Sequence, residues 1–158
     1  MTKDIEIILG SASPRRRELL AGLDIPFQTV SIDADETCPA ELKAEQIPYY
    51  ISRAKAQAYE KKLKENQLLI TADTIVWLDG QMLGKPHDEQ QAVEMLHRLS
   101  GKTHTVFTAV TFVQQGYEME TLVDSTEVTF APLTDEEINY YVSKYRPMDK
   151  AGAYGVQE

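Results

Sequence analysis

The feature that most constrains this chain is the alternation of strand-like and helix-like segments along its length. Apolar runs of strand length, such as Ile5 to Gly10 and Leu68 to Ile70, are separated by stretches with helical spacing. The predicted element order is β-α-β-α-β-β-β-α-β-β-α. Strands that alternate with helices in this way favour an α/β fold. We therefore predict the α/β class, with a mixed sheet flanked by helices.

Capping residues predict where two of the helices begin. Ser13 precedes Pro14, and this pair is typical of an N-cap followed by the first helical position. Thr134 is followed three residues later by Glu137, which is the pattern of a capping box. Both helices therefore begin at positions that the sequence itself marks.

Turn residues predict two strand pairs. Asp79-Gly80 lies between two short strand-like segments and favours a hairpin with a type I′ turn. Residues 103–114 and 117–130 are rich in β-forming residues on either side of Gly116. We expect the second pair to be antiparallel.

Charge and cysteine content exclude several classes of protein. Sixteen Lys and Arg against 25 Asp and Glu give a net charge of −9, which is unfavourable for general binding to nucleic acid. The single cysteine, Cys38, excludes an internal disulfide and a cysteine zinc cage. The chain shows no signal-peptide pattern and no apolar run of membrane-spanning length. These features favour a cytoplasmic protein that contacts neither nucleic acid nor membrane.

The strand–loop–helix segment around residues 10–17 is a candidate anion site. Helix N-terminal N–H groups, the hydroxyls of Ser11 and Ser13, and the guanidinium groups of Arg15 and Arg16 all suit phosphate oxygens. A solvated basic turn paired with Glu18 explains the same residues without a ligand.

Other candidate residues lie along the rest of the chain. Asp73 is predicted just past the end of a strand, where it would hold Mg²⁺ or activate a water, or merely close a turn. Lys55 and Lys85 are candidate phosphate contacts, although each is also an ordinary helix or surface lysine. Asp33, Asp35 and Glu36, in an acidic loop, are candidate oxygen ligands for a hard cation, although a solvated loop is the commoner explanation of such a cluster. The three histidines have no metal-ligand spacing, and no role is assigned to them.

Five segments in order resemble one family, the Maf family of nucleoside triphosphate pyrophosphatases, some of whose members are called septum formation inhibitors. They are SASPRRRELL at 11–20, ADTIV at 72–76, GKP at 84–86, LSGKTH at 99–104 and DKAGAYGVQ at 149–157. The resemblance implies a fold similar to the inosine triphosphate pyrophosphatases, with two lobes around a cleft. It implies hydrolysis of a nucleoside triphosphate to the monophosphate and pyrophosphate with Mg²⁺ or Mn²⁺, and a possible homodimer.

The resemblance also implies roles for individual residues. Asp73 matches the family's catalytic acid, as base or metal ligand, and Arg15, Thr74 and Gln157 match positions that set base preference. The final loop resembles the subgroup that acts on dTTP and UTP. The implied phosphate contacts are Ser11, Ser13, Arg15, Arg16, Lys55 and Lys85.

The resemblance covers residues 1–158 as a single domain. The family normally continues past the position of Gln157 with further strands, so we expect this chain to lack that segment and to have weak activity or none. Two functions stay open. An enzyme acting on dTTP and UTP is favoured by Asp73, because a pure binder gains nothing from a carboxylate beside a triphosphate unless it holds a metal. A non-catalytic nucleotide-binding regulator of cell division is the alternative.

Overall fold

A computed structural model describes residues 4–155, which form a six-stranded sheet and four α-helices. No helix in this range has both the length and the apolar character needed to cross a membrane. The strands are β1 (Glu6–Leu9), β2 (Phe27–Thr29), β3 (Gln67–Leu78), β4 (Gln81–Leu83), β5 (Thr103–Gln114) and β6 (Glu120–Thr129). The helices are α1 (Pro14–Ala21), α2 (Gln46–Tyr59), α3 (Glu89–Leu99) and α4 (Asp135–Tyr145).

The sheet is mixed, which confirms the predicted fold class. Its strand order is β2-β1-β3-β5-β6, and β4 pairs with β3 outside this path. Strand β1 is parallel to both β2 and β3, with Ile8 opposite Leu69 on β3. Strand β4 is antiparallel to β3, with Met82 opposite Trp77. The parallel pairs bring the carboxyl ends of β1 and β2 to the same edge.

Strand β3 corrects one prediction. The sequence predicts that Asp73 lies just past the end of a strand, but Gln67–Leu78 is one continuous strand of 12 residues. Its first part pairs with β1 and its last part with β4, so the change of pattern along this segment reflects a change of partner and not the end of the strand. Asp73 therefore lies in the middle of a strand.

The local signals predicted from the sequence are confirmed. The Ser13 side chain accepts a hydrogen bond from the Arg16 N–H at the start of α1. Thr134 and Glu137 form the reciprocal capping box that begins α4. Asp79-Gly80 has positive φ at both residues, 51° and 78°, as a type I′ turn requires. Strands β5 and β6 are neighbours in the sheet, as expected for the pair around Gly116.

The chain divides into two compact units, and each has its own hydrophobic core. Unit 1 extends to Asp73 and includes Thr108–Asp124, whereas unit 2 contains Thr74–Phe107 and the residues from Ser125 onward. The core of unit 1 contains Ile8, Ala56, Leu63, Leu69 and Val113. The core of unit 2 contains Val76, Leu78, Leu83, Ala92, Leu96, Leu99, Ile138, Val142 and Ala153.

A histidine is buried beside the core of unit 2. His104 on β5 is 2% exposed, and its Nε2 lies 2.6 Å from the Tyr154 hydroxyl. Both rings contact Phe130 edge to face, at centroid distances of 5.2 and 4.9 Å. Burial lowers the pKa of His104 and raises the pKa of Tyr154 to about 12. Both side chains are therefore uncharged near neutral pH.

This burial predicts a pH-dependent stability. The unfolded chain binds a proton at His104 more readily than the folded protein, because the folded pKa is lowered. Above about pH 6.5, His104 does not make the free energy of unfolding depend on pH. Below it, the free energy of unfolding falls by up to ~1.4 kcal/mol per pH unit until the folded pKa is reached. We expect urea denaturation between pH 7 and pH 5 to show a steeper loss in the wild type than in His104→Gln. Equal slopes would contradict this account.

Candidate active site

Two cationic side chains converge on one backbone carbonyl in unit 1. Lys55 Nζ donates to the Ala72 oxygen at 3.0 Å, and Arg16 Nη1 donates to the same oxygen at 3.1 Å. Lys55 comes from α2 and Arg16 from α1, whereas Ala72 belongs to β3. Three separate elements thus bring two positive charges to the residue that precedes Asp73.

The position of Arg16 follows from the pairing of β1 with β3. The Gly10 N–H donates to the Ile70 carbonyl at 2.8 Å, so the loop after β1 begins beside β3. A Cβ at Gly10 would lie 2.4 Å from Ile32 Cδ1 and 3.2 Å from Thr71 Cγ2, so glycine permits the close approach. The first turn of α1 then places the Arg16 guanidinium beside the Ala72 carbonyl.

The position of Lys55 depends on a buried hydroxyl network. The Thr71 hydroxyl donates to the Ser52 carbonyl at 2.8 Å, and the Ser52 hydroxyl lies 2.8 Å from that of Thr111. Ser52, Thr71 and Thr111 each have 0% exposure. These bonds join α2 to the sheet three residues before Lys55 and two residues before Asp73. They are long-range contacts, so no sequence pattern pointed to them.

Asp73 faces Lys55, and Glu36 reaches the same lysine. Asp73 Oδ1 lies 3.4 Å from Lys55 Nζ, and Glu36 Oε1 lies 3.1 Å from it. The side chains of Asp73 and Lys55 are 14% and 15% exposed, whereas that of Glu36 is 56% exposed. Asp73 Oδ2 is buried and has no hydrogen-bond partner among the described residues. One carboxylate oxygen therefore contacts a cation, and the other is buried without a hydrogen-bond partner among the described residues.

Burial dominates the electrostatics of this cluster. It raises the pKa of Asp73, and Lys55 and Arg16 oppose this effect while Glu36 adds to it. Burial also lowers the pKa of Arg16, against the opposing effect of Asp73 and Glu36. The two cations thus favour the carboxylate form of Asp73, against the effect of burial.

The residues of this cluster suit a divalent cation that binds together with a substrate phosphate. Asp73 and Glu36 each place one carboxylate oxygen near Lys55 Nζ, at 3.4 and 3.1 Å, and Oδ2 of Asp73 is a buried acceptor with no partner among the described residues. Residues 4–155 contain no group of three or more His, Cys, Asp or Glu that could hold a metal. Mg²⁺ is usually bound by one or two carboxylates together with substrate phosphates and water, so two are sufficient.

The structure distributes the predicted site residues between the two units. Arg16, Lys55, Asp73 and Glu36 come together in unit 1, as described above. Ser11, Ser13 and Arg15 share the loop and first turn with Arg16, and Ser11 accepts a hydrogen bond from the Ser13 N–H at 3.1 Å. Thr74 and Lys85 belong to unit 2, where Lys85 is exposed in the segment after β4. Gln157 lies outside the described residues.

The sequence model of the Maf-like protein family matches residues 6–158 of this chain. This chain belongs to the Maf family. The match confirms the resemblance carried by the five segments, and it covers all of the elements described above.

Curated relatives of this Maf protein carry one name. Proteins from Phocaeicola vulgatus, Bacteroides thetaiotaomicron and Porphyromonas gingivalis are each named dTTP/UTP pyrophosphatase. They are 54%, 53% and 51% identical to this chain. The alignments cover 97% of this chain for the first two and 99% for the third, and 79% of each relative.

Solved structures support the fold of this Maf protein. The Ham1 protein of Staphylococcus aureus has a TM-score of 0.57 at 12% identity, over 77% of this chain and 70% of that protein. A HAM1 protein from Coxiella burnetii has a TM-score of 0.51 at 12% identity, over 78% of this chain and 70% of that protein. At this identity the likeness concerns the fold alone.

The buried hydroxyl network predicts that removing one of its hydroxyls lowers the free energy of unfolding. Thr71→Val keeps the volume of the side chain but removes the bond to the Ser52 carbonyl. We expect the free energy of unfolding in urea to fall by about 1–2 kcal/mol. Thr103→Val is the matched control, because the Thr103 hydroxyl bonds Thr129 on an exposed face, and its effect should stay within about 0.5 kcal/mol. Equal effects of the two changes would contradict a special role for Thr71.

Proposed function

We propose that this chain is a cytoplasmic nucleoside triphosphate pyrophosphatase that hydrolyses dTTP and UTP to the monophosphate and pyrophosphate. The observation that carries this proposal is the buried Asp73 carboxylate beside Lys55 and Arg16, with Oδ2 unpartnered among the described residues. Relatives at 51% to 54% identity that are named dTTP/UTP pyrophosphatase support the choice of substrate.

Local positive charge supports the binding of a triphosphate. Near neutral pH a nucleoside triphosphate carries about four negative charges, and a chain of net charge −9 repels it unless cations are concentrated at the site. Arg16 and Lys55 are placed together at Ala72, and Arg15 shares the first turn of α1. We assign phosphate binding to these residues, together with Ser11, Ser13 and Lys85.

The proposed reaction joins a water oxygen to the α-phosphorus while the bond from that phosphorus to the αβ-bridging oxygen breaks. The departing electron pair leaves with pyrophosphate, whose developing charge is stabilised by the cationic side chains. The proton of the attacking water passes to a carboxylate oxygen. Asp73 Oδ2 suits this step because it is buried and lacks another partner among the described residues.

A divalent cation fits the same proposal. Asp73 and Glu36 are the residues that would hold it, in agreement with the two carboxylates around Lys55. When bound, such a cation neutralises phosphate charge and assists departure of the leaving group. Asp73 then acts either as the proton acceptor or as the metal ligand.

Base preference is assigned to Arg15, Thr74 and Gln157. The carboxamide of Gln157 has a donor and an acceptor side by side, which match the carbonyl and N–H of a thymine or uracil edge. A base with a different edge leaves these groups unpaired, and that penalty is a source of discrimination.

The proposal predicts that Asp73→Asn abolishes hydrolysis. The amide keeps the shape of the side chain but neither accepts the proton nor holds a cation as a carboxylate does, so kcat for dTTP and UTP should fall by about 10²–10⁴-fold. Nucleoside monophosphate, diphosphate, pyrophosphate and phosphate are quantified by ion-exchange chromatography. Asp79→Asn makes the same change in an exposed turn and should leave kcat unchanged.

The products that the wild type forms distinguish cleavage between the α and β phosphates from the alternatives. Diphosphate plus phosphate would contradict cleavage between the α and β phosphates. Tight triphosphate binding by the wild type without any hydrolysis would instead indicate the non-catalytic regulator of cell division.

The proposed metal site predicts a shift in metal requirement. Glu36→Gln removes one of the two carboxylate ligands, so the Mg²⁺ concentration for half-maximal hydrolysis of dTTP should rise by at least roughly tenfold. Glu41→Gln removes another exposed carboxylate and should leave the Mg²⁺ titration unchanged. Identical titrations of Glu36→Gln and the wild type would remove Glu36 from the metal site.

A further inference from the structure

One buried position on strand β5 carries a hydroxyl where an apolar side chain would fit. Ala109, Thr111 and Val113 alternate along β5 and are all buried, and Thr111 has 0% exposure. A valine at position 111 would have nearly the same shape and would bury no polar atom. Burying a hydroxyl lowers stability unless that hydroxyl is hydrogen-bonded. What distinguishes Thr111 from a valine is therefore the set of hydrogen bonds that it makes.

The Thr111 hydroxyl belongs to a chain of hydrogen bonds that has one direction. The Ser52 hydroxyl donates to the Tyr49 carbonyl at 3.2 Å and lies 2.8 Å from Thr111 Oγ1. A hydroxyl has a single proton, so Thr111 must be the donor to Ser52. Thr111 Oγ1 lies 2.9 Å from Thr121 Oγ1, and Thr121 is the donor there for the same reason. The chain begins at Arg53, whose Nη1 donates to Thr121 Oγ1 at 3.0 Å.

This chain joins three elements of unit 1. It begins and ends on α2, and it passes through Thr121 on β6 and Thr111 on β5. Each of its three hydroxyls donates one bond and accepts one. A buried network that is satisfied in this way fixes one arrangement of the elements it joins, whereas apolar packing alone tolerates small shifts. The network therefore determines where α2 lies on the sheet.

Ser52 also contacts β3 directly beside the candidate active site. The Thr71 hydroxyl donates to the Ser52 carbonyl at 2.8 Å. Three residues further along α2, Lys55 Nζ lies 3.0 Å from the Ala72 oxygen and 3.4 Å from Asp73 Oδ1. Residues three apart are neighbours on the surface of a helix, so the two contacts with β3 lie side by side. A shift of Ser52 therefore moves Lys55 relative to Asp73.

We propose that Thr111 is a positioning residue for Lys55, because its bond to Ser52 fixes the turn of α2 from which Lys55 reaches the Ala72 carbonyl. This inference rests on the proposed function, in which Lys55 binds a phosphate of the substrate. It assigns a role to a residue of β5 that acts through α2. Small displacements are important at such a site, since a misplacement of about 1 Å can lower a rate by about a hundredfold.

The test measures binding of a dTTP analogue in which an imido group replaces the oxygen between the α and β phosphates. The proposed cleavage is then blocked. Titration calorimetry in saturating Mg²⁺ gives a dissociation constant that does not depend on the fraction of folded protein. We expect this constant to rise by roughly five- to tenfold in Thr111→Val, which keeps the shape of the side chain and removes its hydroxyl.

Thr111→Ser is the matched control. It keeps the hydroxyl and removes a buried methyl group, so it should lower the free energy of unfolding but leave the dissociation constant at the wild-type value. Ser52→Ala removes the other partner of the same bond and should raise the constant as Thr111→Val does. If the constant rises as much in Thr111→Ser as in Thr111→Val, the role of Thr111 is only structural and the inference is overturned.

A double variant shows whether Thr111 acts through Lys55. Lys55→Met removes the ammonium group and weakens binding by itself. The further change Thr111→Val should then leave the dissociation constant unaltered, because no ammonium remains to be misplaced. Additive losses would overturn the inference. A crystal structure of Thr111→Val tests the same point without a nucleotide: Lys55 Nζ should lie beyond hydrogen-bond distance of the Ala72 oxygen, and an unchanged distance would contradict the proposal.

Failure of the proposed function gives a different result. A wild type that binds the imido analogue but hydrolyses no dTTP contradicts the enzyme, while the same dissociation constants still test the positioning of Lys55. A wild type that hydrolyses dTTP, together with an unchanged constant in Thr111→Val, supports the enzyme and overturns the inference. A wild type that binds no nucleotide contradicts both.

Discussion

The site depends on the shared hydrogen-bonding of Lys55 and Arg16 to the Ala72 carbonyl. A carboxylate as buried as Asp73 is costly in a chain that already carries a net charge of −9. Two cations fixed at the preceding residue offset that cost and leave one carboxylate oxygen unpartnered among the described residues. Much of unit 1 serves this arrangement: the β1–β3 pairing positions α1, and the buried hydroxyls position α2.

In unit 2, hydrogen bonds likewise hold an unfavourable group in place, which here is a strained loop. Its capped helices and type I′ turn form a regular frame, with the strained segment Ala151–Gly155 packed on one part of it. The backbone of this segment is satisfied at both ends, and a buried histidine provides the hydrogen bond in the middle. Strain is thus confined to a few residues that the rest of the unit holds in place.

Local signals made much of the fold predictable. The Ser13 cap, the Thr134 capping box and the Asp79-Gly80 turn are short-range interactions, and the structure confirms all three. The continuity of β3 was missed because its partner changes along its length. Motifs and a family resemblance predict the residues of the candidate site. The bonds that assemble it join residues as far apart as Arg16 and Ala72, and no local pattern encodes such contacts.

The separate cores of the two units have an evolutionary consequence. Arg16, Lys55 and Asp73 belong to unit 1, whereas the loop Ala151–Gly155 belongs to unit 2 and packs with a different set of apolar residues. The two sets of core residues have no member in common. Selection on the packing around the loop and selection on the packing beneath the cationic cluster therefore act on different apolar positions.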